Sequence, residues 1–321
     1  MIKDRILIID ALNLFTRHFV ANPSMTENGE HIGGTVGFFN NMCRLVEKTK
    51  PEAVIVVWEG GGSKRKRDLF PEYKKKSKPQ NLNRYYDNDI PNTYQNRNFQ
   101  VRTLIELLKL IPICQVYISD AEADDAIGYM TSYTLKDKNV IIVSSDHDFY
   151  QLVSERVIIW SPTLKSFVDT DKIMDRYNIH PKNFCLAKCI SGDPSDNIPG
   201  VKGVGYKSIA KRFQKFTECN EYNIPDLICD AAIGNKDSKA KIYERIVKEE
   251  KLIKRNLRLV RLDTNNISHD QIKNLENSIE NFTPKWDNIG AHRMLKSNCI
   301  NNIDLLRYNH ILRHLKKGKI K

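Results

Sequence analysis

Acidic side chains recur where the short apolar runs of this sequence end. The runs RILIID, AVIVVWE, QVYISD and VIIVSSDHD each finish in or lead into Asp or Glu. Like charges brought together raise one another's pKa, and a divalent cation relieves that repulsion. Oxygen ligands without a Cys or His cluster favour Mg²⁺ or Mn²⁺ over zinc. Nine candidate metal ligands follow: Asp10, Glu59, Glu122, Asp124, Asp125, Asp146, Asp148, Asp193 and Asp196.

A pair of divalent ions at such a site would support hydrolysis of a phosphodiester bond. Two ions ~3.5–4 Å apart activate a water and stabilise the attacking and leaving oxygens, so no Ser or His nucleophile is needed. One acid at a strand end is better explained as a helix N-cap or a solvated turn, but four such ends at one sheet edge favour a metal site. We expect Asp193 and Asp196 to lie in a turn, and His147 to point away from its acidic neighbours.

A basic segment follows Glu59 directly. The stretch SKRKRDLFPEYKKKSKP holds eight Lys and Arg between positions 64 and 78, interleaved with Phe70 and Tyr73. Charges that follow phosphates and rings that stack on bases suit single-stranded nucleic acid. The alternative is a solvated basic loop. Because the segment begins at the mouth of the expected metal site, we favour nucleic-acid binding.

A second basic element is rich in glycine. The stretch IPGVKGVGYKSIAKRF permits a tight turn between two helices. The backbone N–H groups of such a turn, with the N-terminus of the following helix, can face a phosphate. The GK[ST] spacing of a P-loop is absent, and we interpret the stretch as a hairpin that binds a duplex backbone. Its expected DNA contacts are Gly200, Lys202, Gly203, Gly205, Lys207 and Lys211.

Strand-like runs alternate with helical patterns in the first half of the chain. Residues 35–48, 97–111 and 123–135 place apolar side chains at helical spacing, and a fifth run at 157–160 predicts another strand. This order predicts an α/β fold with a parallel sheet covered on both faces. After about residue 171 the pattern becomes mostly helical, and we expect a domain boundary near residue 180.

Composition agrees with a nucleic-acid partner. The 321 residues carry a formal net charge of +12, and without the nine candidate acids 30 Asp and Glu face 51 Lys and Arg. No apolar run approaches the ~20 residues of a membrane helix. The stretch MIKDRILIID lacks the longer apolar segment and cleavage site of a signal peptide, so we expect none here. Seven cysteines without a CxxC pair argue against a disulfide scaffold and fit a reducing cytoplasm.

The motifs EADD, SSDHDF and GDPSDNIPGVKGVG, in this order, resemble those of the 5′-nuclease family. That family includes flap endonucleases, phage 5′-3′ exonucleases and the N-terminal nuclease domain of bacterial DNA polymerase I, and the resemblance covers roughly residues 5–215. It implies a PIN-like, mostly parallel sheet flanked by helices, a helical arch and a helix-three-turn-helix module. We therefore expect a nuclease core over 1–180 with a basic arch at 60–98. A helical DNA-binding region would span 181–321, with a helix-hairpin-helix-like module at about 185–216.

The resemblance also implies roles for particular residues. The nine acids match the family's metal ligands, and Lys66, Arg67, Tyr73 and Lys74 match arch residues that act on the scissile region. Gly200 to Lys207 matches the hairpin that grips the duplex, often around K⁺. Two positions depart from the family: Glu59 replaces an aspartate, and Lys66 replaces an arginine, which loses bidentate phosphate contact.

The implied activity is metal-dependent cleavage of DNA at 5′ flaps and 5′ ends, or of RNA in RNA–DNA hybrids, during replication or repair. We expect a cytoplasmic monomer that uses two Mg²⁺ ions or Mn²⁺, with no membrane partner. Two alternatives remain open. One is a non-catalytic protein that binds branched DNA, and the other is a PIN-type ribonuclease that acts on single-stranded RNA.

Overall fold

A computed structural model describes residues 5–75, 93–238, 240–317 and 320. The expected arch at 60–98 therefore lies partly outside the described residues. Its described flanks are a short helix, the turn that follows it as far as residue 75, and a long helix from residue 93.

A six-stranded sheet forms the centre of the molecule. Its strands are β1 (Arg5–Asp10), β2 (Ala53–Gly60), β3 (Cys114–Ser119), β4 (Asn139–Val143), β5 (Val157–Ser161) and β6 (Ser166–Val168). They are ordered β3-β2-β1-β4-β5-β6, and only β6 runs antiparallel to its neighbour. In β1, Ile6 and Ile8 point into one apolar core while Leu7 and Ile9 point into the other. Burial on both faces explains why these strands read as continuous apolar runs.

Helices cover both faces of the sheet. They are α1 (Ala11–Ala21), α2 (Gly33–Thr49), α3 (Lys64–Leu69), α4 (Thr93–Lys109), α5 (Ala123–Tyr129), α6 (Thr170–Tyr177), α7 (Pro181–Ser191), α8 (Tyr206–Arg212), α9 (Ile224–Asp237), α10 (Lys241–Lys248), α11 (Glu250–Val260), α12 (His269–Glu280), α13 (Asn288–Ser297) and α14 (Leu305–Arg313). Helices α1, α2, α4, α13 and α14 share one core. Helices α5, α7, α11 and α12 contribute to a second core on the opposite face. The mostly parallel α/β prediction is thus confirmed.

Three local predictions differ from the structure. The helix expected over 123–135 is α-helical only to Tyr129 and continues as a π-helix over Met130–Thr134. The run VIIVSSDHD is strand only to Val143, because its last two residues belong to a 3₁₀ helix over His147–Leu152. The three-residue strand β6 was not predicted, since a strand this short has no readable periodicity.

Two helices joined by a glycine-rich hairpin follow the sheet, as the sequence predicts. Helices α7 and α8 flank residues 192–205, and the Val201 N–H donates to the Ile190 carbonyl at 2.7 Å. A Cβ on Gly200 would lie 2.3 Å from the Ser191 carbonyl carbon, so only glycine allows this approach. The hairpin is therefore held tightly against the end of α7.

The C-terminal helices pack back onto the sheet layers rather than extending away. Helix α14 contacts α2, and α12 contacts β3. The division at residue 180 stays a prediction. Across the described ranges, none of the helices combines the length and apolar character that crossing a membrane requires.

Candidate metal centre and nucleic-acid interface

The acids at the strand ends are brought to one edge of the sheet, and three of them also cap helices. Asp10 Oδ1 accepts from the Asn13 N–H at 3.3 Å at the start of α1. Glu59 Oε2 accepts from the Ala123 N–H at 2.8 Å at the start of α5. Asp146 accepts from the Asp148 N–H at 2.9 Å. Because each carboxylate has a second oxygen, capping and metal binding are compatible at these positions.

The EADD motif forms a cluster that already contains a cation. Single oxygens of Glu122, Asp124 and Asp125 lie within 4.8 Å of one another. The Lys66 Nζ lies 2.7 Å from Glu122, 2.9 Å from Asp125 and 3.6 Å from Asp124. Lys74 adds a contact of 2.5 Å to Glu122. Burial alone would raise the pKa of Glu122, but these two lysines lower it to about 2.

A second cluster joins Asp148, Asp193 and Asp196, whose nearest oxygens also lie within 4.8 Å of one another. Asp193 and Asp196 lie in a turn, as expected. The buried ammonium of Lys188 contacts Asp148 and lies 2.7 Å from Asp193 Oδ2. Although burial opposes it, Lys188 and the Ser195 hydrogen bonds lower the pKa of Asp193 to about 2. Sequence reasoning missed Lys188, whose one signal was a lone Lys within the apolar run FCLAKCI.

Carboxylates from different strand ends, Asp124 of the first cluster among them, also repel one another. Burial, then Glu59 and Asp146, raise the pKa of Asp10 to about 8. Burial and the charges of Asp124 and Glu122 raise the pKa of Glu59. The pKa of Asp124 is also raised, because burial outweighs the attraction of Lys66. An all-oxygen set in which burial and repulsion outweigh the attraction of nearby lysines fits a divalent cation. We name this group, with Asp146, the central acids.

Lys66 and Tyr73 do not reach the surface where the resemblance would place them. Lys66 is 1% exposed and Tyr73 is 3% exposed. The Tyr73 hydroxyl donates to Glu122 at 2.7 Å and the Lys66 ammonium also lies 2.7 Å from it, so both buried side chains contact Glu122. Lys74 and Arg67 remain accessible. His147 stacks on Tyr150 at 4.7 Å and is not part of either carboxylate cluster.

The hairpin presents its charges to solvent. Lys202, Lys207 and Lys211 are exposed, and Gly203 has a φ of +73°. Potassium binding at this loop stays a prediction. The Lys202 carbonyl accepts from Arg245 at 3.0 Å, and the Pro199 carbonyl accepts from Asn256 at 2.8 Å. Each of these carbonyl oxygens keeps a second lone pair.

The metal-free protein should lose stability as pH rises from about 7 to 8. Folded Asp10 keeps its proton until about pH 8, whereas unfolded Asp10 has already lost it, so the folded state binds more protons in this range. We expect the free energy of unfolding in EDTA to fall by about 1 kcal/mol. Urea unfolding at several pH values measures it. Mg²⁺ or Asp10→Asn should flatten the dependence, and a rise in the EDTA series would contradict the prediction.

Comparison with known proteins identifies related sequences. Residues 5–178 match the family described as 5′-3′ exonuclease, N-terminal resolvase-like domain. A 5′-3′ exonuclease of Aquifex aeolicus is 26% identical over 211 residues, which cover 65% of this chain and 68% of the relative. The thermostable DNA polymerase I of Thermus thermophilus is 27% identical over 216 residues, or 67% of this chain. Those residues span only 24% of that polymerase.

The fold is also shared with a solved structure. The T5 D15 flap endonuclease, in a complex with DNA and metal ions, superposes with a TM-score of 0.65 at 20% identity. The match covers 96% of this chain and 99% of the T5 chain. At this identity the likeness establishes the fold.

Proposed function

We propose, from the premise that this chain belongs to the 5′-3′ exonuclease family, that it is a metal-dependent, structure-selective 5′-nuclease. One observation carries the proposal. Strand ends far apart in the sequence bring Asp10, Glu59, Asp124 and Asp146 together as carboxylates that repel one another. The Lys66 ammonium, 3.6 Å from Asp124, does not keep the pKa of Asp124 from rising. A protein that only bound DNA would gain nothing from this electrostatic repulsion.

Divalent ions are the expected cofactors, and we propose two Mg²⁺ ions, with Mn²⁺ as a substitute. The central acids would hold one ion, and the Asp148, Asp193 and Asp196 cluster would contribute to the second. Bound there, the ions would supply an activated water and neutralise charge on the phosphodiester. Lys66 and Tyr73 keep Glu122 in place, and Lys74 extends a cation from Glu122 towards solvent.

We propose DNA with a 5′ flap or 5′ end as the substrate, with RNA–DNA hybrids as a further one. Exposed Lys202, Lys207 and Lys211 of the hairpin would contact the duplex, and Arg67 and Lys74 the strand at the cleavage point. The T5 relative solved with DNA is consistent with this assignment. Charged contacts of this kind release counterions, so affinity should fall steeply with salt. We place the protein in the cytoplasm and expect it to act as a monomer.

The deciding experiment is cleavage of a synthetic 5′-flap DNA by the full chain. We expect cleavage near the junction with Mg²⁺ and none with EDTA. An RNA hairpin and a blunt duplex serve as competing substrates. Failure to cut the flap under any divalent ion would overturn the proposal, and preferential cutting of the RNA hairpin would favour a PIN-type ribonuclease.

In the same assay, substitutions of Lys74 and Lys207 should affect different quantities, kcat for the first and duplex affinity for the second. Lys74→Ala should lower kcat about 10²-fold with little change in duplex affinity, because Lys74 contacts the acid cluster. Lys207→Ala should weaken duplex binding roughly threefold to tenfold and leave kcat unchanged, because Lys207 is a solvent-exposed phosphate contact. Fluorescence anisotropy in Ca²⁺ measures affinity. The reverse pattern would show that the two contacts are wrongly assigned.

A further inference from the structure

Helix α11 lies beyond the residues that match the family, yet it contacts both parts of the proposed DNA interface. It packs against α3 at the base of the expected arch and against α7 beside the hairpin. Two neighbouring residues of this helix, Arg255 and Asn256, make the polar and stacking contacts to those two parts. One short, rigid element therefore spans the distance between them.

Asn256 ties the hairpin to α7. It is fully buried, and its Nδ2 donates to the Cys189 carbonyl at 2.9 Å and to the Pro199 carbonyl at 2.8 Å. Cys189 lies near the end of α7, and Pro199 directly precedes Gly200. A buried donor that bridges two carbonyls fixes the separation of the segments that carry them, because losing it leaves both carbonyls unpaired.

Arg255 reaches from the same helix to the base of the arch. Its guanidinium lies 4.2 Å from the centroid of the Phe70 ring, and its Nη2 donates to Asn256 Oδ1 at 2.9 Å. The Phe70 carbonyl accepts from the Tyr73 N–H at 2.9 Å. A displacement of Phe70 would therefore also displace the turn that carries Tyr73 and Lys74.

We propose that Arg255 and Asn256 are positioning residues that set which phosphodiester bond is cut. This rests on the proposed nuclease function and extends it. The hairpin would hold the duplex, the arch base and acid clusters would hold the cleavage point, and the Arg255–Asn256 pair fixes the distance between the two. Successive phosphates of one strand lie about 3.4 Å apart along the axis, so a displacement of that order selects a neighbouring bond.

A second contact limits how far the arch base moves when one link is lost. Arg65 of α3 donates to the carbonyls of Asn265 at 3.0 Å and Ile267 at 3.3 Å, just beyond α11. Loss of Arg255 alone should therefore loosen the arch base without detaching it. The double variant Arg65→Met/Arg255→Met should loosen it further.

The test maps cleavage positions on an end-labelled 5′-flap DNA at single-nucleotide resolution, with the full chain and Mg²⁺. We expect the wild type to concentrate its products at one position. Arg255→Met should halve the share of that product and distribute the rest over neighbouring bonds, and the double variant should do so further. Asn256→Ala should also weaken binding of a blunt duplex about tenfold. Arg258→Met, an exposed residue of the same helix, is the matched control.

The outcomes separate this inference from its premise. If the wild type cuts the flap and Arg255→Met keeps its product distribution, the inference is overturned while the nuclease function stands. A shift of equal size in Arg258→Met would also overturn it, since lost charge alone would then explain the result. No cleavage by the wild type would reject the nuclease function itself. Thermal unfolding confirms that each variant is folded at the assay temperature, and Arg255→Met tests the inference if Asn256→Ala does not fold.

Discussion

Asp124→Asn should abolish flap cleavage and leave DNA binding intact. The substitution keeps the shape of the side chain and removes one negative charge from the central acids, so the site loses attraction for a divalent ion. A contribution of several kcal/mol to transition-state stabilisation corresponds to a loss on the order of 10³-fold or more. Single-turnover cleavage measures the rate, and anisotropy in Ca²⁺ measures flap affinity, which should stay within about twofold because the basic contacts lie elsewhere.

The matched control is Asp120→Asn. Asp120 is an exposed acid two positions before Glu122, the first residue of the EADD motif, and its φ of +56° is one that asparagine tolerates. It should cut at the wild-type rate. If Asp124→Asn retained a rate within tenfold of the wild type, the assignment of the central acids as the metal centre would be wrong.

Lys66→Met should have the largest effect on stability. Lys66 is the buried cation shared by Glu122, Asp124 and Asp125, and removing it leaves these acids with fewer counter-charges away from water. Breaking a buried ion pair by removing one partner costs about 3–5 kcal/mol. We expect a loss of that size in the free energy of unfolding, measured by urea denaturation in EDTA. Added Mg²⁺ should recover part of it, because an ion can then neutralise the same carboxylates.

Two comparisons make this result specific. Lys75→Met removes an exposed pair with Glu72 at 2.8 Å and should cost at most about 1 kcal/mol. Lys66→Arg keeps the positive charge and should retain most of the stability. A free energy of unfolding for Lys66→Met within about 1 kcal/mol of the wild type would show that the cluster does not depend on this ammonium.

The sheet and its acidic edge were predictable because both depend on local patterns. Runs such as RILIID predict buried parallel strands, and the carboxyl ends of such strands meet at one edge. The sequence could not distinguish a helix cap from a metal ligand at Asp10 and Glu59. In the structure one oxygen of each side chain accepts a backbone N–H, and the second oxygen of Asp10 also accepts from the Ser144 hydroxyl at 3.1 Å. Since each carboxylate oxygen has two lone pairs, these caps are compatible with metal binding.

The lysines could not be placed from sequence alone. Lys66 lies in a run of four basic residues, and nothing in KRKR distinguishes the one that is 1% exposed from its exposed neighbours. Its burial depends on the phase of a six-residue helix relative to the EADD cluster, which is a tertiary property. Lys188 and Asn256 were missed for the same reason, since both act on groups 40 or more residues away in the chain.

The strand order has a consequence for synthesis of the protein. Strand β1 is synthesised before β2 and β4 but lies between them, so its second hydrogen-bonded edge is not filled until residues 139–143 have been made. Contacts this distant in sequence form slowly. The nascent segment that carries β1 must therefore keep one unpaired β-edge until β4 has been made. The carboxylates of Asp10 and Asp146 consequently do not come together in any shorter nascent chain.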